Sequence, residues 1–541
     1  MGRVTVATRW PEARARRGIV ASPHALASEA GVAILRRGGN AVDAAIAAAA
    51  TVAVVYPHMN GVGGDNGWLI RDARRGTLSA LNAAGRAAAA ADLETYRARF
   101  GAAIPARGGP AALTVPGAVS GWWAAHRLSR DTLGSPIAWA ALLEDAIARA
   151  RDGFPPSPGQ RRVTAATADL FGAAAPAELR PALWRVYHPA LLARERFAQA
   201  DLARTLAEIA AGGAEAFYRG PLARRVVAGA AAAGSPLALE DFAAHAADWV
   251  EPLRVPYRGG VAASLPPPTQ GVAALAILAL LEGFDLAALD EADWLHLVVE
   301  ATKLAFEDRD RWLGDPAVVP VPVARCLDPA RLAARRRRIS RRAAMPAAAA
   351  PMDGDTIAIV AADAEGNAVS LIQSLYWEFG SGVLAGETGV ILQNRGAFFA
   401  LDPAHPNRLA PGKRTAHTLI PSMYLVDGRP RLVYGTMGGE GQPQTQAALL
   451  TRIVDRGLRP QAAVEAPRWL WGRTWGEASR SLRLEARFAP EVAASLRARG
   501  HDVSVVEAWS DLMGHAQVIR VDPDGFTAGS DPRADGAALG C

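Results

Sequence analysis

Pro351-Met352-Asp353-Gly354-Asp355-Thr356-Ile357-Ala358-Ile359-Val360-Ala361 is the stretch where the sequence changes character. Up to Asp355 it is linker chemistry, small residues with Pro, Gly and acids that have little to bury, continuing residues 343–350. From Thr356 the period becomes that of a strand. A turn at Asp363-Ala364-Glu365-Gly366-Asn367 then leads into a second predicted strand over 368–374. A threonine therefore opens a strand directly behind a linker. Were the chain cut there, Thr356 would carry both a hydroxyl and a free α-amine, a nucleophile and its base in one residue. An α-amine titrates near 7.7–8.0 in its reference state, close to the working range of a general base. The same residue also fits as an ordinary β-branched strand opener.

Working outward, the first hundred residues read helix, helix, strand. A helix over 25–37 stops at Gly38-Gly39, and Asn40 with Asp43 three residues on forms a near capping box for the next helix. Residues 45–55 are apolar almost all round, which predicts a buried helix. The Gly-rich loop His58-Met59-Asn60-Gly61-Val62-Gly63-Gly64-Asp65-Asn66-Gly67 leads to a strand at 68–71. Residues 112–330 are mostly helical, interrupted by a short strand at 260–265 and the breakers Pro266-Pro267-Pro268. After the linker come a hairpin of 418–426 with 431–435, then Gly438-Gly439 opening onto a helix at 443–456, and a closing strand near 514–521. Strands flanked by helical runs predict stacked α/β layers, sheets inside and helices outside.

Composition excludes several classes. Half of the 541 residues are hydrophobic and 21% are charged, so disorder is not the main state. Two cysteines, Cys326 and Cys541, exclude a disulfide scaffold and a cysteine zinc site. No apolar run reaches the roughly 18 residues of a membrane span, and no secretory h-region is visible, so the expectation is a cytoplasmic protein without a membrane partner. The net charge is +6, yet all but two of the 59 basic residues are arginines scattered among acids. Their one cluster, Arg335–Arg338 with Arg341 and Arg342, lacks interleaved aromatics and reads as a solvated helix face with a basic linker, not a nucleic-acid surface. The ten histidines lack zinc spacing, and neither a Walker loop nor a Gly-x-Ser-x-Gly elbow occurs, so no metal and no cofactor are expected.

Several motifs resemble the γ-glutamyltransferase family of N-terminal nucleophile hydrolases. Gly18-Ile19-Val20-Ala21-Ser22, Gly38-Gly39-Asn40-Ala41-Val42-Asp43-Ala44-Ala45, Val115-Pro116-Gly117-Ala118-Val119, Ala216-Phe217-Tyr218-Arg219-Gly220 and Leu265-Pro266-Pro267-Pro268-Thr269-Gln270-Gly271 are similar to family segments. More specific are Thr356, eleven residues before Asn367, and then Phe379-Gly380-Ser381-Gly382, Pro411-Gly412-Lys413-Arg414 and Gly438-Gly439, in family order. The resemblance implies an αββα sandwich made as a heterodimer from one precursor. Scission between Asp355 and Thr356 would give a large subunit, 1–355, mostly helical with strands in shared sheets, and a small catalytic subunit, 356–541. It implies Thr356 as nucleophile, Gly438 and Gly439 N–H groups as oxyanion hole, and Ser374 as the second hydroxyl that orients the nucleophile.

The sequence departs where γ-glutamyl enzymes grip the substrate's amine and carboxyl. Their arginine aligns with Ala84, leaving Arg86 two positions off as the substitute candidate; their asparagine is Tyr376; their acid is Phe398; their Ser-Ser pair is His417-Thr418. Loss of such polar contacts weakens γ-glutamyl recognition by several kcal/mol. Asn394-Arg395-Gly396, His417-Thr418-Leu419-Ile420-Pro421 and Gly438-Gly439-Glu440-Gly441-Gln442-Pro443-Gln444 instead resemble the family's amidohydrolase and acylase branch, which includes oxamate amidohydrolases and cephalosporin acylases. Arg395 offers a fork for a small carboxylate or serves structurally, and His417 belongs to pocket or core. The expectation is a self-processing amidohydrolase on small carboxylate-bearing amides such as oxamate. The alternatives are a glutathione hydrolase or γ-glutamyltransferase, a cephalosporin-type acylase, and a catalytically silent binding protein.

Overall fold

A computed structural model describes residues 8–173, 179–346, 355–472 and 481–541. Two seven-stranded antiparallel sheets form the centre. The first runs Ala537–Gly540, Gly18–Ser22, Asp355–Asp363, Ala368–Tyr376, Asp65–Asp72, Thr77–Asn82, Asp248–Val250. The second runs Ala13–Ala15, Gly525–Ser530, Ala516–Asp522, Arg429–Thr436, Ser422–Val426, Gly260–Ser264, Leu253–Tyr257. Both sheets thus combine strands from before and after the 343–355 linker.

Strand alternation sorts the side chains into layers. On Asp355–Asp363, Ile357, Ile359 and Ala361 join a core with the helices outside the first sheet, while Val360 and Ala362 meet Met423, Val433 and Ile519 between the sheets. Small residues let the sheets approach. A Cβ on Gly435 would lie 2.7 Å from Ile372 and 3.2 Å from Ala358. Helix Ala41–Val55 covers the first sheet, fully buried along its length and capped by the Asn40–Asp43 box. Helices Gly271–Leu281, Glu291–Trp312 and Gln442–Val454 contribute to the core outside the second. The architecture is the expected αββα sandwich.

Several boundaries differ from the sequence reading. The strand expected at 68–71 begins at Asp65, because Asp65, Asn66 and Gly67 already pair with Ser374, Gln373 and Ile372. The 418–426 strand begins only at Ser422, after Pro421. Strands Asp248–Val250 and Leu253–Tyr257 lie inside the stretch read as helical, and Ala516–Asp522 is followed by Gly525–Ser530 and Ala537–Gly540 instead of closing the chain. The arginine cluster is not merely solvated. Arg335 pairs with Glu307 and Asp308, Arg338 with Glu307, and Arg336 donates to the Leu280 and Ala279 carbonyls that end a helix. Of the linker, residues 347–354 lie outside the described residues.

Candidate active site

Thr356 shares strand parity with Ala358, Val360 and Ala362, so its side chain belongs to the inter-sheet face, at the strand's first end. Ser374 and Asp65 occupy the same face and the same end, and pair directly across strands. The register slips beside them: Asp355 opposes Tyr376 and Ile357 opposes Gln373, leaving an extra residue on the second strand. Tyr376 ends that strand at φ 85, a left-handed conformation unusual for a side-chain-bearing residue. The bulge turns Tyr376 away from the regular alternation.

Thr356 is fully buried, and its hydroxyl meets the Ser374 hydroxyl at 3.3 Å and Gln442 Nε2 at 3.5 Å, both long contacts. The Ser374 hydroxyl is itself fixed by the Tyr376 N–H at 2.8 Å. Gln442 is the first residue of the 13-residue helix Gln442–Val454, so the helix's positive end lies beside the Thr356 hydroxyl. Immediately upstream, Gly438 (φ 130) and Gly439 (φ 49) form a turn that side-chain-bearing residues rarely adopt. The Gly438 carbonyl accepts from Gly441 N at 2.7 Å. Among the described residues, no partner takes the Gly438 or Gly439 N–H.

Arg395 opens the short turn Arg395–Phe398 and is wholly buried. One arm, Nη1, donates to Thr418 Oγ1 at 3.3 Å, and the guanidinium carbon sits 4.2 Å from the centre of the Tyr376 ring. Its Nε and Nη2 have no hydrogen-bond partner among the described residues. Burial pulls its pKa down to about 10, opposed by the charges of Tyr376 and Asp65. Tyr376 also packs against Phe398 at 5.2 Å and Trp377 at 5.8 Å, making an aromatic wall.

His417 is committed elsewhere. Its Nε2 pairs with Asp65 Oδ2 at 3.1 Å, and its Nδ1 accepts from Leu419 N at 3.4 Å. Nε2 therefore carries the proton. Burial, then the neighbouring Arg395 charge, lowers its pKa to about 4, so it is neutral. In the sequence Asp65 stands out only as part of a Gly-rich loop, yet it organises this region. Its carboxylate accepts from Gly85 N, Gly117 N, Gln393 Nε2 and His417. Burial pushes its pKa up, but the His417 hydrogen bond, the Arg395 charge and the Gly85 N–H together hold it below the usual value. An acid inside Gly-Gly-Asp-Asn-Gly was the available signal. Arg86 is not brought to this cluster: its guanidinium is half-exposed and engages the Gly412 carbonyl, Asp248 and Asp315.

One group of potential metal ligands was not foreseen. His296, Glu300 and His501 bring ligand atoms within 4.8 Å of one another. Their lone pairs are largely taken. Glu300 accepts from Lys303 at 2.7 Å and Met345 N at 2.7 Å. His296 Nε2 donates to the Ser340 carbonyl at 2.6 Å, so its Nδ1 accepts from His501 at 2.8 Å. The group reads as a clamp on residues 340–345. Among the described residues no helix is long and apolar enough to cross a membrane.

The gamma-glutamyltranspeptidase family profile matches residues 27–541. An oxamate amidohydrolase proenzyme of Klebsiella pneumoniae is 47% identical, covering 97% of this chain and 98% of that one. A glutathione hydrolase-like YwrD proenzyme of Bacillus subtilis is 44% identical, covering 96% and 98%. A solved cephalosporin acylase of Bacillus halodurans superposes with a TM-score of 0.91 at 35% identity, over 99% of this chain and 98% of that one. The chain belongs to the gamma-glutamyltranspeptidase family.

Proposed function

We propose that this protein is a self-processing amidohydrolase that cleaves small carboxylate-bearing amides, oxamate first among them, through an acyl-enzyme on Thr356. Its family makes it an N-terminal nucleophile hydrolase of amide bonds. In the reading proposed here the precursor is cut between Asp355 and Thr356. The Thr356 hydroxyl attacks the amide carbon, and the freed α-amine takes the hydroxyl proton and passes it to the leaving nitrogen, which departs as ammonia. Water then hydrolyses the ester and restores Thr356. Ser374 holds the hydroxyl in line, and the Gly438 and Gly439 N–H groups receive the developing oxyanion beside a helix N-terminus.

The observation that carries the substrate class is Arg395, a fully buried cation with two nitrogens unpartnered among the described residues, on the Tyr376 wall next to the Thr356–Ser374 pair. Unsatisfied buried cations are costly, and a substrate carboxylate would satisfy this one with charge-assisted bonds. Thr418 steadies the fork, and Tyr376 backs it. His417 acts through Asp65 as part of the supporting wall. Arg86 is tied to Asp248 and Asp315, so it is assigned no contact with substrate. Unpaired Cys326 and Cys541 fit a reducing compartment, and a cytoplasmic location is part of the proposal. The test is ammonia release from a panel of oxamate, oxamide and larger primary acyl amides, beside p-nitroaniline release from γ-glutamyl-p-nitroanilide. Oxamate should lead. Turnover of the γ-glutamyl substrate at a comparable kcat/KM would favour the glutathione-hydrolase reading instead.

A further inference from the structure

Strands Arg429–Thr436 and Ala516–Asp522 pair in register as far as Thr436 opposite Ala516. One bond continues the ladder beyond them, from Met437 N to the His515 carbonyl at 2.7 Å. There both chains turn away on a glycine with positive φ, Gly438 at 130 and Gly514 at 70. The two glycines meet face to face. A Cβ on Gly438 would lie 3.3 Å from Gly514 Cα. A Cβ on Gly514 would lie 3.2 Å from Gly438 Cα and only 2.1 Å from the Met437 carbonyl oxygen. That oxygen belongs to the peptide plane that carries the Gly438 N–H. In a trans peptide the two point in opposite directions, so whatever the carbonyl abuts decides where the N–H is aimed. The Met437 carbonyl abuts Gly514, and the Gly438 N–H is directed away from it.

Gly514 is held in place by charge. Arg468 Nη1 donates to the Gly514 carbonyl at 2.6 Å and to the Met513 carbonyl at 3.3 Å. Its other arm reaches the Val464 carbonyl at 3.0 Å and the Asp531 carboxylate. Asp531 also accepts from Ala516 N at 2.8 Å, so the same ion pair grips the chain on both sides of His515. Arg533 bonds to Asp531 at 3.0 Å and to Glu485 at 2.6 and 2.7 Å. All four side chains are buried. Breaking such a buried pair is costly because it strands a charge, so the 513–516 segment has little freedom to yield.

We infer that Gly514, fixed by Arg468 and Asp531, is a positioning residue that aims the Gly438 N–H for the reaction. A side chain at 514 would drive the Met437 oxygen back by roughly 1 Å to reach normal contact. On a C=O bond of about 1.23 Å that swings the whole peptide plane by tens of degrees. Gly514 acts through the Met437–Gly438 peptide and is assigned no contact with substrate. The inference rests on the reading of Gly438 as an oxyanion donor. It adds that the direction of that donor is set by the segment before strand Ala516–Asp522 and by the buried ion group that grips it, not by the glycine turn alone.

The experiment uses the matured enzyme with Gly514→Ala. Steady-state ammonia release is measured on oxamate and on neutral oxamide, together with inhibition by oxalate. The expected result is a fall in kcat of roughly 10- to 100-fold, less than complete removal of an oxyanion donor. The factor should be the same for both amides, with KM and the oxalate inhibition constant within about twofold of the parent. An unchanged kcat, a carboxylate-selective loss or a loss in KM alone would overturn the inference. So would a parallel loss in kcat, KM and oxalate affinity, the mark of a general disturbance of the pocket. If Gly514→Ala does not mature, the same quantities on Arg468→Lys decide, since lysine keeps the charge beside Asp531 and gives up the fork on Gly514. A smaller but equally substrate-independent fall in kcat is then expected. A crystal structure of the parent with methylboronic acid, whose boron takes the Thr356 oxygen and becomes tetrahedral, tests the oxyanion reading by itself. A boronate oxygen on Gly438 N supports that reading, and an unchanged kcat in Gly514→Ala then sinks the inference alone. A boronate oxygen elsewhere removes both. Should the parent hydrolyse another amide better than oxamate, that amide and its acid replace oxamate and oxalate.

Discussion

Replacing Arg395 by lysine keeps the charge and removes the fork. In the structure one arm is held by Thr418 at 3.3 Å, the plane rests 4.2 Å from the Tyr376 ring centre, and Nε and Nη2 remain for a ligand. A carboxylate can accept from both at once; an ammonium cannot reproduce the parallel pair. Loss of one hydrogen bond to a charged group costs about 1.5–3 kcal/mol. At about 1.4 kcal/mol per tenfold, the KM for oxamate should rise roughly 10- to 150-fold. Oxamide has the same size and planarity but no carboxylate, so its KM should change by less than about threefold, the spread expected when no charged bond is lost. The assay is ammonia release from both amides, after a denaturing gel has verified maturation. Equal losses on both would mean that Arg395 supports the pocket structurally. No loss on either would place it outside the site and remove the main argument for a small acidic substrate.

Ser374→Ala removes the oxygen that fixes the Thr356 hydroxyl, and kcat on the best amide should fall roughly 10- to 100-fold, about 1.4–2.7 kcal/mol of barrier, with KM little changed. Lys303→Met strands Glu300 as a buried, unpaired carboxylate and should destabilise by about 3–5 kcal/mol, read as a lowered midpoint in denaturant, whereas exposed Arg37→Met, which breaks only a surface pair, should barely move it. Acid should weaken the fold early. Burial holds His24, His58 and His501 down to about 3, and His245 and His417 down to about 4, so all five are neutral in the native state. The unfolded chain binds protons below about 6.5, so their contribution is fully present above that pH and is lost as pH falls toward 4, by about 3 kcal/mol for a group such as His245. Flat stability between pH 7 and 4.5 would contradict this assignment of neutral histidines.

The layers and the position of Thr356 were legible because they rest on local signals. The linker, the change of period at Asp355, the Asn40–Asp43 box and the Gly438-Gly439 break all report structure over a few residues. The part that Asp65 plays here was not legible. It acts on Gln393 and His417, which lie 328 and 352 positions away, and polar pairing at that separation leaves no periodic trace. Arg86 shows how little a near alignment says about where a side chain goes. It lies two positions from the aligned site in sequence, and the backbone there delivers it to Asp248 and Asp315. The 335–338 arginines look solvated in composition, but in three dimensions they cap carbonyls and pair with Glu307 and Asp308.

The central claim, that Thr356 becomes an N-terminal nucleophile, is tested most directly by the intact masses of the purified protein and of Thr356→Ala under denaturing conditions. The account predicts two polypeptides for the parent, beginning at the chain's start and at Thr356, with masses that sum to the full chain plus one water. It predicts a single uncut chain for Thr356→Ala. A parent that remains whole while hydrolysing amides, or a Thr356→Ala variant that still divides between Asp355 and residue 356, would contradict it.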